Sequence, residues 1–201
     1  MVIGITGGVG SGKSTISDIL HEKYGYLVLR TDDMAKELER PGNAVYNALV
    51  EAFGEVILEP ATQSGSPREI SKSAFGDLIY NDHKAMIMAE GIIHPATWGW
   101  CEKIIAEERE RGETRIIVET ALPCERYRRM CDEIWFVYAD EDTRVNRLME
   151  SRGYSREKCR RIISEQLSDV AFIGYADHII DNSAGLEETM IRVNELMEDS
   201  I

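Results

Sequence analysis

The hydrophobic positions of this chain fall into two alternating rhythms. Short apolar runs come first in each repeat: VIGIT (Val2–Thr6), YLVLR (Tyr26–Arg30), TRIIVET after Gly112, EIWFVYA (Glu133–Ala139) and HIIDNS near the end. Each has strand length and is bounded by turn-forming residues, as expected for buried strands. Between them, apolar residues recur at three- and four-residue spacing, as in Ile16, Ile19 and Leu20. That spacing predicts helices from Ser14 to about Lys23, over DMAKELER before Pro41-Gly42, over EDTRVNRLMES with Asp142 or Thr143 at its cap, after Ser155, and from Leu186 to Met197. Residues 43–111 read as mainly helical and polar, interrupted by a Pro, Gly and Ser-rich loop from Glu59 to Glu69. Strand–helix alternation implies an α/β fold, with a five-stranded parallel sheet, helices on both faces and a helical insertion after the second strand.

A chain of 201 residues suits one nucleotide-sized core with a small appended lobe. Its 36 acidic against 23 basic side chains give a net charge of −13. That balance argues against nucleic-acid or anionic-membrane partners, which attract basic surfaces. Cys101, Cys124, Cys131 and Cys159 form no CxxC pair, so incidental thiols in a reducing cytoplasm are expected. The short apolar N-terminal run breaks into glycines and does not read as a signal peptide.

The chemistry enters with GITGGVGSGKST. Gly7, four residues, then Gly12-Lys13-Ser14 match G-x-x-x-x-G-K-[ST], with a strand before and a helix after. Backbone N–H groups of Gly8, Val9, Gly10, Ser11 and Gly12 would line a phosphate cradle at the positive end of a helix. Lys13 reaches the terminal phosphates, the Ser14 hydroxyl is placed for Mg²⁺, and Thr15 adds a second hydroxyl. A chance match in a chain this long is expected at about 1%. ATP and Mg²⁺ are the expected ligands.

The rest of the chain narrows the job. No guanine-reading N-K-x-D string occurs, and the length leaves little room for the modules of motors or transporters. No obvious run of four hydrophobic residues ends in Asp; Glu119 stands at the end of IIVET instead. A small-molecule kinase needs a base near the acceptor hydroxyl and a cationic lid. Asp32 follows the second strand, at the sheet edge that carries the phosphate loop, and is either the base or a helix N-cap; Asp33 suits either role. Five cations between Arg152 and Arg161 form the lid candidate or a solvated helix face. Arg152, in the loop expected before the helix, is the favoured phosphate contact.

These elements together resemble the dephospho-CoA kinase family. The likeness rests on GITGGVGSGKST, on TDDMAKELERPG, on GIIHP (Gly91–Pro95), and on ADHIIDNS with Gln166 upstream of it. It implies a P-loop kinase fold with a nucleotide core (1–42 and 112–150 with 176–201), a helical domain on the acceptor side (43–111) and a lid (151–175). It implies transfer of the ATP γ-phosphoryl to the 3′-hydroxyl of dephospho-CoA, the last step of coenzyme A synthesis, by a cytoplasmic monomer or small homo-oligomer. In that frame Asp32 is the general base, and Thr6 and Lys13 contact phosphate or substrate. Asn182 lies beside the adenine. His94 either borders the acceptor or is a hydrogen-bonded structural histidine before a Pro-bounded turn. The chain departs from the family pattern at four places. Arg30-Thr31-Asp32 stands for Asp-Ala-Asp, and ETALP for a Pro-Leu-Leu segment. Ser151 stands at the lid arginine, and Phe172 at a cation six residues after Gln166. These changes keep two alternatives open: a kinase for another nucleotide or nucleoside acceptor, and a non-catalytic ATP-binding regulator.

Overall fold

Val2–Thr6 (β1) is buried along its whole length, because it is the central strand of a parallel sheet. The sheet also contains Leu27–Arg30 (β2), Ile116–Thr120 (β3), Glu133–Tyr138 (β4) and His178–Asp181 (β5), in the order β2-β3-β1-β4-β5. All four strand pairings are parallel. The computed structural model describes residues 1–61 and 67–199; the middle of the expected Glu59–Glu69 loop lies outside them.

The alternation of β1 sends its side chains to opposite faces. Ile3 and Ile5 join a core with Ile16 and Leu20 of the helix Lys13–Tyr24 (α1) and with Val193 and Leu196 of the closing helix. Gly4 points the other way. A Cβ there would stand 2.5 Å from the Tyr127 hydroxyl, which donates to Val118 O at 3.2 Å. Helices thus cover both faces. The cost of trimming Ile5 to Ala in such a core is about 2–5 kcal/mol.

Contacts divide the chain into two compact units, residues 1–30 with 105–201, and residues 31–104. The expected insertion, 43–111, compares with a second unit that already begins at Thr31; residues 151–175 fall within the first unit. The second unit is helical: Thr31–Leu38 (α2), Ala44–Phe53 (α3), a 3₁₀ turn Gly54–Ile57, Lys72–Asn81 (α4) and most of His83–Glu110 (α5). Val45, Leu49, Ile57, Phe75 and Ala89 form its own core, with the Phe53 and Phe75 rings 5.7 Å apart. Trp98 is buried in this unit and Trp100 partly so. Pro95 sits inside α5, so GIIHP is helix and no turn follows His94. Proline removes one helical N–H, and nearby the Thr97 hydroxyl donates to Ile93 O at 2.9 Å.

The first unit is completed by Glu125–Met130 (α6), Glu141–Arg152 (α7), Arg156–Ser164 (α8), Asp169–Ile173 (α9) and Leu186–Asp199 (α10). The α7 cap is Asp140, two or three residues earlier than the sequence suggests; its carboxylate accepts from Thr143 N at 2.9 Å and from the Thr143 hydroxyl at 2.7 Å. Those bonds hold the Asp140 carboxyl below its usual range. Arg152 is the last residue of α7, not part of a loop.

Candidate active site

The phosphate loop leaves the C-terminal end of β1, where neighbouring strands also end. In register there are Thr6 beside Thr120 and Phe136, and Glu119 between Ile5 and Arg30. Open parallel sheets place ligands at this edge, where chain direction across the sheet reverses.

Gly12 has φ +98° and precedes α1, a conformation that favours glycine. A Cβ there would lie 2.1 Å from Asn182 Nδ2, so both backbone and space demand the missing side chain. Asn182 Nδ2 donates to Ser11 O at 2.7 Å, and its Oδ1 accepts from the Thr189 hydroxyl at 2.8 Å. Both ends of this buried amide therefore serve the protein. It braces the loop.

Lys13 Nζ donates to Gly7 O at 2.8 Å and Gly8 O at 3.1 Å, so its ammonium lies along the loop backbone. The Ser14 hydroxyl donates to Glu119 Oε1 at 2.7 Å. Arg30 Nε donates to Glu119 Oε2 at 3.2 Å, and Arg30 also pairs with Asp18. Glu119 is 7% exposed; a carboxylate this buried needs such partners. Arg30, one of the departures from the family pattern, is thus the cation of Glu119. Ser14 and Glu119 are hard oxygen donors in contact at the loop, a pairing that fits Mg²⁺. Thr15 is exposed. Thr6 is fully buried, and its hydroxyl has no partner among the described residues; the Ser11 hydroxyl is in the same state.

The arginines that reach the loop are not those the charge run suggests. Arg144 Nε donates to Val9 O at 2.9 Å and its Nη2 to Gln166 Oε1 at 2.8 Å; Val9 N donates to that same oxygen at 2.8 Å. Arg147 Nη1 reaches Gly10 O at 3.3 Å and Ser11 O at 3.2 Å, and its Nη2 reaches Asn182 O at 2.8 Å. Arg152 is exposed and makes no hydrogen bond or ion pair with the described residues. Arg156 and Arg160 face the acids that open α7: Arg156 lies 3.7 Å from Asp142, and Arg160 lies 3.3 Å from Glu141. Lys158 sits 3.8 Å from the centre of the Tyr154 ring. The one signal for Arg144 and Arg147 in the sequence is their three-residue spacing on a helix next to the fourth strand, and sequence reasoning passed it over.

In the second unit, Asp32 is exposed in the first turn of α2 and has no hydrogen bond or ion pair with the described residues. It caps nothing. Asp33 pairs with Lys36 at 2.8 Å, and that bond raises the Lys36 pKa. His94 is half-buried within α5 and makes no hydrogen bond to the described residues, so it is not the hydrogen-bonded structural histidine of the bland reading.

Comparison with known proteins agrees with this geometry. A family model for dephospho-CoA kinase matches residues 1–188. A dephospho-CoA kinase of Geobacter sulfurreducens is 36% identical over 196 residues, covering 97% of this chain and 96% of its own. Among solved structures, TT1252 from Thermus thermophilus superposes with a TM-score of 0.75 at 24% identity, over 99% of this chain and 97% of its own. Dephospho-CoA kinase from Campylobacter jejuni gives 0.68 at 19% identity, over 100% and 98%. The five-stranded parallel sheet, the phosphate loop at its edge and the match over nearly the full length agree: this chain belongs to the dephospho-CoA kinase family.

Proposed function

We infer that the chain transfers the γ-phosphoryl group of ATP to the 3′-hydroxyl of dephospho-CoA, the last step of coenzyme A synthesis. The observation that carries this reading is an intact phosphate loop, with Lys13 and Ser14 in place, in a chain that belongs to the family along almost its whole length.

The chemistry is mostly positioning and charge. The loop N–H groups and the N-terminus of α1 receive the β and γ phosphates. Lys13 exchanges its carbonyl partners for phosphate oxygens and follows the charge that spreads onto the transferred group. Asp32, with its carboxylate uncommitted among the described residues, orients the acceptor hydroxyl and takes its proton as the new P–O bond forms. Ser14 and Glu119 would hold Mg²⁺, which neutralises charge on the phosphates when bound. Thr6 offers an unpartnered hydroxyl at the same strand end. Thr15 stands at the loop's outer side, and His94 borders the acceptor from α5.

Among the described residues no helix is long and apolar enough to cross a membrane. Cys101, Cys124, Cys131 and Cys159 form no disulfide among the described residues, in keeping with a cytoplasmic setting.

The test is ATP consumption with Mg²⁺, comparing dephospho-CoA with nucleosides and nucleoside monophosphates. Turnover with dephospho-CoA alone is expected. Turnover with another acceptor would keep the kinase and replace the substrate; none with any acceptor, despite ATP binding, would leave a regulator. Asp32→Asn should cut turnover about 10²- to 10⁴-fold while ATP binding persists. Unchanged turnover would remove Asp32 from the base role.

A further inference from the structure

Arg144 is 7% exposed, yet no carboxylate of the described residues lies within ion-pair distance of it. Glu141 is turned to Arg160 at 3.3 Å, and Asp169 acts on Arg144 only through space. Burying a charge without an opposite charge is unfavourable, and burial indeed pulls the Arg144 pKa down. The two acceptors it has, Val9 O and Gln166 Oε1, are neutral. Its Nη1 makes no hydrogen bond with the described residues.

The guanidinium is pressed against the phosphate loop. A Cβ on Gly8 would lie 2.2 Å from Nη2, 2.6 Å from Cζ and 3.0 Å from Nη1. Arg144 also lines a cleft of about 320 Å³ with Ala139, Glu141, Ser164, Gln166 and Asp169. Neither departure position in the lid offers a competing charge. The Ser151 hydroxyl returns to Arg147 O at 2.6 Å, and the Phe172 ring stacks on Phe136 at 5.1 Å.

We propose that Arg144 is a fixed cation for the polyphosphate of the bound nucleotide, supplied by α7 and not by the exposed run 152–161. The phosphate is the counter-charge that the unliganded protein lacks. An Arg fork anchored through Nε and Nη2 leaves Nη1 for phosphate oxygens. The proposal rests on the ATP reading, but not on which acceptor is phosphorylated.

The experiment is calorimetric titration of wild type, Arg144→Met and Arg144→Lys with MgATP and with adenosine, beside thermal melts of the unliganded proteins. Arg144→Met should bind ATP about ten- to a hundredfold more weakly, bind adenosine as wild type does, and melt somewhat lower, since Val9 O and Gln166 Oε1 lose this donor. Arg144→Lys should recover most of the loss. Undiminished ATP affinity in Arg144→Met would overturn the proposal. So would a parallel loss of ATP and adenosine, or a loss that Lys does not restore, since either would make Arg144 a brace for Val9 and Gln166 only. Wild-type protein that binds ATP yet leaves dephospho-CoA untouched would defeat the substrate reading and spare this one.

Discussion

Helices α7 and α8 carry arginines of the same chemistry and opposite circumstance. On α7, Arg144 is buried and Arg147 half-buried, and both donate to backbone carbonyls of the phosphate loop. On α8, Arg156 and Arg160 are exposed and pair with Asp142 and Glu141. Density of charge in the sequence pointed to α8; depth of burial points to α7. Cations in water gain little from an ion pair, because solvent and salt screen it. A guanidinium facing carbonyls away from water is in a site where each hydrogen bond counts for more. A run of cations therefore marks where charge is tolerated, whereas an isolated arginine on an apolar face marks where charge is used.

The contrast is broken most severely by Arg147→Ala. The carbonyls of Gly10 and Asn182 would lose this donor, while Ser11 O would keep Asn182 Nδ2. Unmet buried acceptors cost about 1–3 kcal/mol, so both thermal stability and ATP affinity should fall, the latter by about tenfold. Melting and titration unchanged from wild type would refute a bracing role. Next comes Asp140→Ala, which removes the cap of the helix that carries both arginines. Because hydrogen bonds from Thr143 lower the Asp140 pKa from its ordinary 3.8, its contribution is present above that value and lost as pH falls through the folded-state value. Denaturant curves should show the variant less stable at pH 7, with the difference shrinking below about pH 4; a pH-independent difference would assign the effect elsewhere. The smallest effect is expected from Arg160→Ala on α8, within about 0.5 kcal/mol and fading further in high salt. A larger cost would mean that the α7–α8 ion pairs matter more than their exposure suggests.

The sheet was legible because each strand is a short apolar run with its own period, and the phosphate loop because few backbones other than glycine accept its turns. Glu119 was half legible. Its place at a strand end was plain, but its contacts to Ser14 and Arg30 bring together residues 105 and 89 positions apart. The bracing role of Asn182 was not legible, since only the folded chain shows its amide bonded to Ser11 and Thr189. Arg152 was favoured because Gly153 and Tyr154 read as loop; in fact α7 runs on to Arg152 and Gly153 caps it. Asp32 makes no capping bond in the first turn of α2, and the turn expected after His94 is absent because α5 tolerates Pro95 within it.

Asn182 holds Ser11 across 171 positions of sequence. A ribosome emits the phosphate loop long before its brace. At roughly 5–20 residues per second, the loop waits on the order of ten seconds or more for the amide that Gly12 leaves room for. Until then the nascent chain carries the nucleotide motif without the clamp that shapes it. The brace on the phosphate loop is thus conferred only once Asn182 has been made, and a chain that stops short of it leaves the ribosome with its loop unfastened.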